Sequence, residues 1–271
     1  MAFSGIRYIT AWVVRIVTSR RLATGPRREP RSIRVRHFAQ LDRDRARRVG
    51  VPEVILGEGK SIDHLLSIVA ALSERRLGAL VSRPTPAQLR ALQAWRPPGG
   101  PAGRLKFLAD DRLVRLPGPL GPRYREGVVA ILTGGTSDVP LAEEARALLN
   151  ELGIRVVRAY DVGVAGLHRL LSAVHRLEAR RPEMYLVFAG REGALPTIVA
   201  GLVRAPVVGV PTSIGYGRGG RGEAALNAML QSCAPLAVVN IDAAVPAALF
   251  AAQRFAERSG RGRPRARRGL A

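Results

Sequence analysis

Val128-Val-Ala-Ile-Leu-Thr-Gly-Gly-Thr-Ser-Asp138, followed by Val139-Pro140, decides the fold of this chain. The apolar run does not alternate with polar residues, so it reads as a strand buried on both faces. Two glycines and two hydroxyls end it, and Pro140 suits the first turn of a helix. Working outward, four more short apolar runs follow: Val156–Ala159, Tyr185–Phe188, Val207–Val210 and Ala237–Ile241. Helical patterns separate them at Leu141–Leu152, Leu167–Arg180, Leu195–Leu202 and Glu223–Leu230, and Ala243–Glu257 follows the last. Strands alternating with helices predict an α/β protein with a five-stranded parallel, doubly wound sheet. In such sheets ligands bind beyond the carboxyl ends of the strands.

Those ends are rich in chemistry. After strand one, Gly134 and Gly135 permit close backbone approach, Thr136 and Ser137 add hydroxyl donors, and a helix N-terminus favours phosphate. Asp138 suits a ribose hydroxyl or a water-held magnesium ion. Strand two ends in Asp161-Val-Gly-Val-Ala-Gly166, strand three in Ala189-Gly-Arg-Glu-Gly-Ala-Leu-Pro196, strand four in Pro211-Thr-Ser-Ile-Gly-Tyr-Gly217 and strand five in Asn240-Ile-Asp242. One rim therefore gathers Asp138, Asp161, Glu192, Thr212, Ser213 and Asp242, with Arg191 nearby. A single acidic strand end is commonly a cap; acids or hydroxyls at five of them, set between glycines, fit a nucleotide. His168 follows the second rim loop and by itself reads as a surface or capping histidine.

Upstream, the pattern predicts a smaller α/β domain. Phe38–Gly50 looks charged and helical, Val54–Leu56 is a short apolar run, and Ser61 caps a helix through Glu74. Ala79–Val81 reads as a strand, Thr85–Trp95 as a helix and Lys106–Leu116 as a hairpin. Pro97–Pro101 is a breaker, and the Pro/Gly run Pro117–Pro122 reads as a linker. The expected organisation is a basic non-essential segment over 1–32, a small domain over 33–120, a catalytic domain over 121–258 and a basic tail over 259–271.

The net charge of +22 is concentrated at the ends, with +10 in residues 1–50 and +6 in residues 254–271. Nearly all of it is arginine; Lys60 and Lys106 are the only lysines. Basic tails without interleaved aromatics are more often solvated than base-reading, so no specific nucleic-acid partner is expected. Phe3–Val17 has apolar residues at helical spacing and two arginines off that face, and reads as a dispensable start. No run is apolar for long enough to span a membrane. One cysteine, Cys233, argues for a reducing, cytoplasmic setting. A lone thiol is usually inert core filler, and otherwise it is chemistry.

Two further motifs are weaker. Gly57-Glu-Gly-Lys-Ser61 ends like a phosphate-binding P-loop, but residue 54, where the first glycine belongs, is Val54. Gly215-Tyr-Gly-Arg-Gly-Gly220 fits the dinucleotide glycine pattern, yet it occurs at the fourth strand, so it reads as a backbone cradle and not as a dinucleotide fingerprint.

Taken together, Gly134-Gly-Thr-Ser-Asp138, Ala189–Pro196 and Pro206–Pro211 resemble the aminoimidazole ribonucleotide carboxylase/mutase (PurE) family, whose sheet is flavodoxin-like. That family has a catalytic histidine where this chain has Ala194. A wider resemblance is to the LarB family of nickel-pincer cofactor carboxylase/hydrolases. It spans about Phe38–Ala248 and rests on Pro52-Glu53, Gly57–Lys60, Leu132–Asp138, Asp161–Leu171, Glu192–Pro196, Pro211–Gly217, Met229-Leu-Gln-Ser-Cys-Ala-Pro235 and Val239–Asp242. The chain departs from that family at Gly222-Glu-Ala-Ala-Leu226 and Asn240-Ile-Asp-Ala-Ala244.

The LarB resemblance implies a substrate, nicotinic acid adenine dinucleotide, with carbon dioxide or bicarbonate as co-substrate and magnesium as cofactor. It implies Cys233 as nucleophile, Glu192 as base and Asp138 beside them. The binding set would be Gly134, Gly135, Thr136, Ser137, Asp161, His168, Gly190, Arg191, Thr212, Ser213, Gly215, Tyr216 and Gly217, with Lys60 reaching over from the small domain. It also implies a homo-oligomer, commonly an octamer. A purine-intermediate mutase and a non-catalytic nucleotide-binding regulator are the alternatives.

Overall fold

The computed structural model describes residues 32–97, 104–121, 123–215 and 217–257. The expectations for Phe3–Val17, for most of the 97–101 breaker and for the basic tail lie outside these residues. The described residues form one compact unit.

The second half matches the sequence pattern closely. Five strands, β7 (Val128–Thr133), β8 (Arg155–Ala159), β9 (Met184–Ala189), β10 (Val207–Pro211) and β11 (Ala237–Val238), form one sheet. Its order is β11-β10-β9-β7-β8, and neighbouring strands pair in parallel. The central strands β7, β9 and β10 are buried at every residue, as their unbroken apolar runs require.

Helices α4 (Val139–Glu151) and α8 (Ala244–Gln253) cover one face, burying Leu148, Leu149 and a run of alanines against Ile131 and Leu186. Helices α5 (Leu167–Glu178), α6 (Ala194–Leu202) and α7 (Glu223–Leu230) cover the other, around Leu132, Tyr185 and Val187. β11 is shorter than the apolar run Ala237–Ile241 suggests. Val239 still donates to the Gly209 carbonyl at 3.1 Å, but Asn240 and Asp242 then turn the chain.

The first half holds a four-stranded sheet, order β3-β4-β6-β5, from Val54–Leu56, Ala79–Ser82, Leu113–Leu116 and Lys106–Leu108 respectively. Helices α2 (Ile62–Glu74) and α3 (Pro86–Ala94) pack on one face, capped by Ser61 and Thr85 as their sequences require. The other face presents Leu80 and Leu113 to the α4 side of the large sheet, so one apolar cluster is continuous across both halves.

The expected helix over Phe38–Gly50 is a correction. Ser32–Val35 (β1) and Ala39–Asp42 (β2) form an antiparallel hairpin, and only Arg45–Val49 (α1) is helical. Ile33, Val35 and Leu41 point inward with single-digit exposure, so tertiary burial overrides the charged, helix-compatible pattern.

Candidate functional site

The sheet order reverses between β7 and β9, and the carboxyl ends of those two strands border a cavity of about 400 Å³. Gly134, Gly135, Ser137 and Asp138 line it from β7, and Ala189 through Glu192 line it from β9. Gly163, Val164, Ala165 and Arg169 close one side, Ile214 another. A doubly wound sheet places its ligand at such a switch point.

Local chemistry builds these walls. Asp138 is 4% exposed. Its Oδ2 accepts from the Gly135 N–H at 2.9 Å and its Oδ1 from the Thr212 hydroxyl at 2.7 Å. The carboxylate thus ties the first rim loop to the fourth. Burial pushes its pKa up, against the lowering effect of those hydrogen bonds. Thr212 is fully buried, and its N–H donates to the Ala189 carbonyl at 3.0 Å. Gly190 is required here, since a Cβ would come within 2.1 Å of the Ile214 carbonyl oxygen. Gly193 takes φ 65° to start α6 directly against the Ala225 backbone.

Glu192 and Arg191 are exposed and line the cavity, and Arg191 sits at φ 48°. Arg169 was not singled out by sequence reasoning. Its Nη1 donates to the carbonyl and carboxylate of Asp161 at 2.9 and 3.0 Å, which leaves a cation on the cavity wall beside Gly163. The signal for it was an arginine two residues inside the helix that opens after a glycine-rich rim loop. Asp161, in turn, is occupied by Arg169, and its N–H donates to Thr133 Oγ1.

The remaining expected residues are placed as follows. Thr136 is exposed on the first rim loop, His168 is exposed on α5, and neither lines the cavity. Ser213 donates its N–H to Asp242 Oδ1 at 2.8 Å, and Gly215 and Gly217 continue that loop. Tyr216 lies outside the described residues. Lys60 stays in the small domain, where its carbonyl accepts from Gln88 at 2.7 Å. Among the described residues no cluster of three His, Cys, Asp or Glu side chains suits a metal ion. Asp138 already accepts one hydrogen bond on each oxygen.

Cys233 is exposed and does not line the cavity of its own chain. α7 starts at the rim, where a Cβ on Gly222 would stand 2.8 Å from the Thr212 carbonyl oxygen. The helix is 8 residues long. It therefore carries the chain roughly 12 Å from that level, and Cys233 comes three residues later. Ser232 beside it is fixed by the Thr197 hydroxyl at 2.9 Å and by Ala234 N–H at 3.1 Å.

The fold and site define a doubly wound α/β protein with an arginine-flanked cavity at its switch point, large enough for more than a phosphate. Residues 128–265 match the AIR carboxylase family model and residues 33–99 match that of the LarB/PurE-like N-terminal domain. The chain belongs to the AIR carboxylase family. It is 38% identical over 215 residues to an uncharacterized Methanocaldococcus jannaschii protein, covering 78% of this chain and 82% of that one. It is 33% identical over 130 residues to the N5-carboxyaminoimidazole ribonucleotide mutase of Pyrococcus horikoshii, covering 46% of this chain and 70% of the mutase. A crystal structure of Treponema denticola PurE matches at 26% identity and a TM-score of 0.38, covering 48% of this chain and 88% of that one. No helix among the described residues is long and apolar enough to cross a membrane.

Proposed function

We propose that this carboxylase-type protein carboxylates the pyridinium ring of nicotinic acid adenine dinucleotide and cleaves its phosphoanhydride. The products are pyridinium-3,5-biscarboxylic acid mononucleotide and AMP. The observation that carries the reading is the cavity's acid/base inventory. Glu192 lines it, while Ala194 stands where the purine carboxylases resembled above have their histidine. A purine mutase reaction has no acid/base group at that position. The N-terminal module of LarB/PurE-like type supports the same choice.

The chemistry asks for a nucleophile and a base. A pyridinium ring is electron-poor, so its carbon 5 does not attack carbon dioxide. Addition of a thiolate to the ring carbon para to nitrogen makes an enamine, and carbon 5 then forms the new bond to carbon dioxide. Glu192 takes the proton from carbon 5, and the ring expels the thiolate as aromaticity returns. Water supplies the oxygen that separates AMP. Arg169, Arg191 and the backbone at Gly134 and Gly135 would hold the phosphates. Magnesium, when bound, would travel on the substrate's phosphates.

Cys233 supplies the thiolate in this reading. It does not line its own cavity, so a neighbouring copy delivers it, and the active unit is a homo-oligomer. The test mixes two inactive variants. Cys233→Ala and Glu192→Gln chains should each lose carboxylation as pure assemblies. After dissociation and random reassembly, about a quarter of the sites pair an intact Glu192 with an intact Cys233, and activity should return to that level. Carboxylation by pure Cys233→Ala protein would sink the covalent route. No recovery on mixing would sink delivery between copies.

A further inference from the structure

Arg83 stands at the end of β4 in the small sheet, at φ 49°. Its Nη2 donates a hydrogen bond to the main-chain carbonyl of Asp242, at the carboxyl end of the large sheet. Its Nε lies 3.4 Å from Glu144 Oε2, and Arg112 Nε reaches the same oxygen at 3.5 Å. Glu144 is fully buried on α4 and accepts from the Ser82 hydroxyl at 2.6 Å through its other oxygen. A buried carboxylate needs such partners, so this anchor is fixed.

The other end of the connection is the cavity wall. Asp242, itself at φ 57°, donates its N–H to the Pro211 carbonyl at 2.8 Å and accepts the Ser213 N–H on Oδ1 at 2.8 Å. Between those two lies Thr212, whose hydroxyl holds Asp138. A chain of contacts therefore runs from the buried Glu144 anchor through Arg83 and Asp242 to the fourth rim loop, and on to the first. The mutase relative covers 46% of this chain, whereas Arg83 lies within the matched N-terminal module, residues 33–99.

We infer that Arg83 is a positioning residue: through Asp242 it holds Ser213 and so sets the neighbouring Ile214, which lines the cavity wall. The N-terminal module is thereby part of the binding site without touching the ligand. Assigning that ligand rests on the function proposed above; the positioning of the loop does not.

Two readouts separate the two claims. The first is hydrogen exchange of the loop that follows Pro211. Arg83→Ala should raise exchange there at least tenfold while β7 and β9 stay protected. The second is kinetics. KM for the dinucleotide should rise about tenfold and kcat change less than threefold, because a loosened cavity wall at Ile214 weakens binding more than chemistry. Guanidinium ion added below denaturing concentration should restore KM. Arg83→Lys keeps the charge beside Glu144 but lacks the planar fork, so it should behave like Arg83→Ala and serves if the alanine variant does not fold. Faster loop exchange in a protein whose wild type shows no turnover would uphold the role of Arg83 and remove the proposed reaction. Wild-type exchange and wild-type KM in both variants would overturn the inference.

Discussion

Replacing Thr212 by valine tests the tie between the first and fourth rim loops. The two side chains have nearly the same shape, so the change removes one hydroxyl donor and adds one methyl. Thr212 is 0% exposed and Asp138 is 4% exposed, so water does not replace the lost 2.7 Å bond. A hydrogen bond to a charged group contributes about 1.5–3 kcal/mol. The buried methyl returns about 0.8 kcal/mol. Thr212→Val should therefore destabilise the protein by roughly 1–2 kcal/mol at neutral pH.

The sign of the pH dependence follows from Asp138. Burial raises its folded pKa above the ordinary 3.8, and the Thr212 hydroxyl opposes that rise. The folded state then binds more protons than the unfolded state, so ionised Asp138 costs stability above its folded pKa and nothing below the ordinary value. Removing Thr212 raises the folded pKa further and enlarges the cost at neutral pH. Urea unfolding at about pH 7.5 and about pH 4.5 should show a large difference between variant and wild type at the higher pH and a smaller one at the lower. An unchanged urea midpoint at neutral pH, or a difference that ignores pH, would refute the clamp.

Two further outcomes follow from the same geometry. Glu192→Gln cannot accept the ring proton, so turnover should fall about a hundredfold or more while a substrate adduct builds up on the Cys233 peptide in mass spectrometry; wild-type rates would remove Glu192 from the reaction. Gly190→Ala forces a Cβ to 2.1 Å from the Ile214 carbonyl oxygen, a contact with backbone that cannot swing away. It should cost about 1–3 kcal/mol in urea unfolding and weaken dinucleotide binding, and a neutral result would show that the loop gives way.

The large sheet was legible because its strands are buried on both faces and its helices fall between them at regular spacing. The rim was legible because glycines, hydroxyls and acids recur at successive strand ends. What the sequence left unread depends on contacts between distant segments. The β1–β2 hairpin exists because Ile33, Val35 and Leu41 find a core, which the charges around them obscure. Arg83, Arg112 and Glu144 lie far apart along the chain, and nothing local to any of them announces a shared site. Arg169 is one arginine among many in the sequence, and only its hydrogen bonds to Asp161 in the fold set it on the cavity wall. Asp138 reads as a free carboxylate in sequence, whereas folding engages both of its oxygens. Cys233 follows α7 in the chain, and the length of that helix sets it away from the rim.

The central claim is that this cavity carboxylates a pyridinium dinucleotide. The direct measurement is incubation of the full-length wild-type protein with carbon-13-labelled bicarbonate and magnesium, in parallel with nicotinic acid adenine dinucleotide and with aminoimidazole ribonucleotide. Label should appear in a biscarboxylated pyridinium mononucleotide, released together with AMP, and not in the purine precursor. Label in the aminoimidazole product, with the dinucleotide left intact, would contradict it.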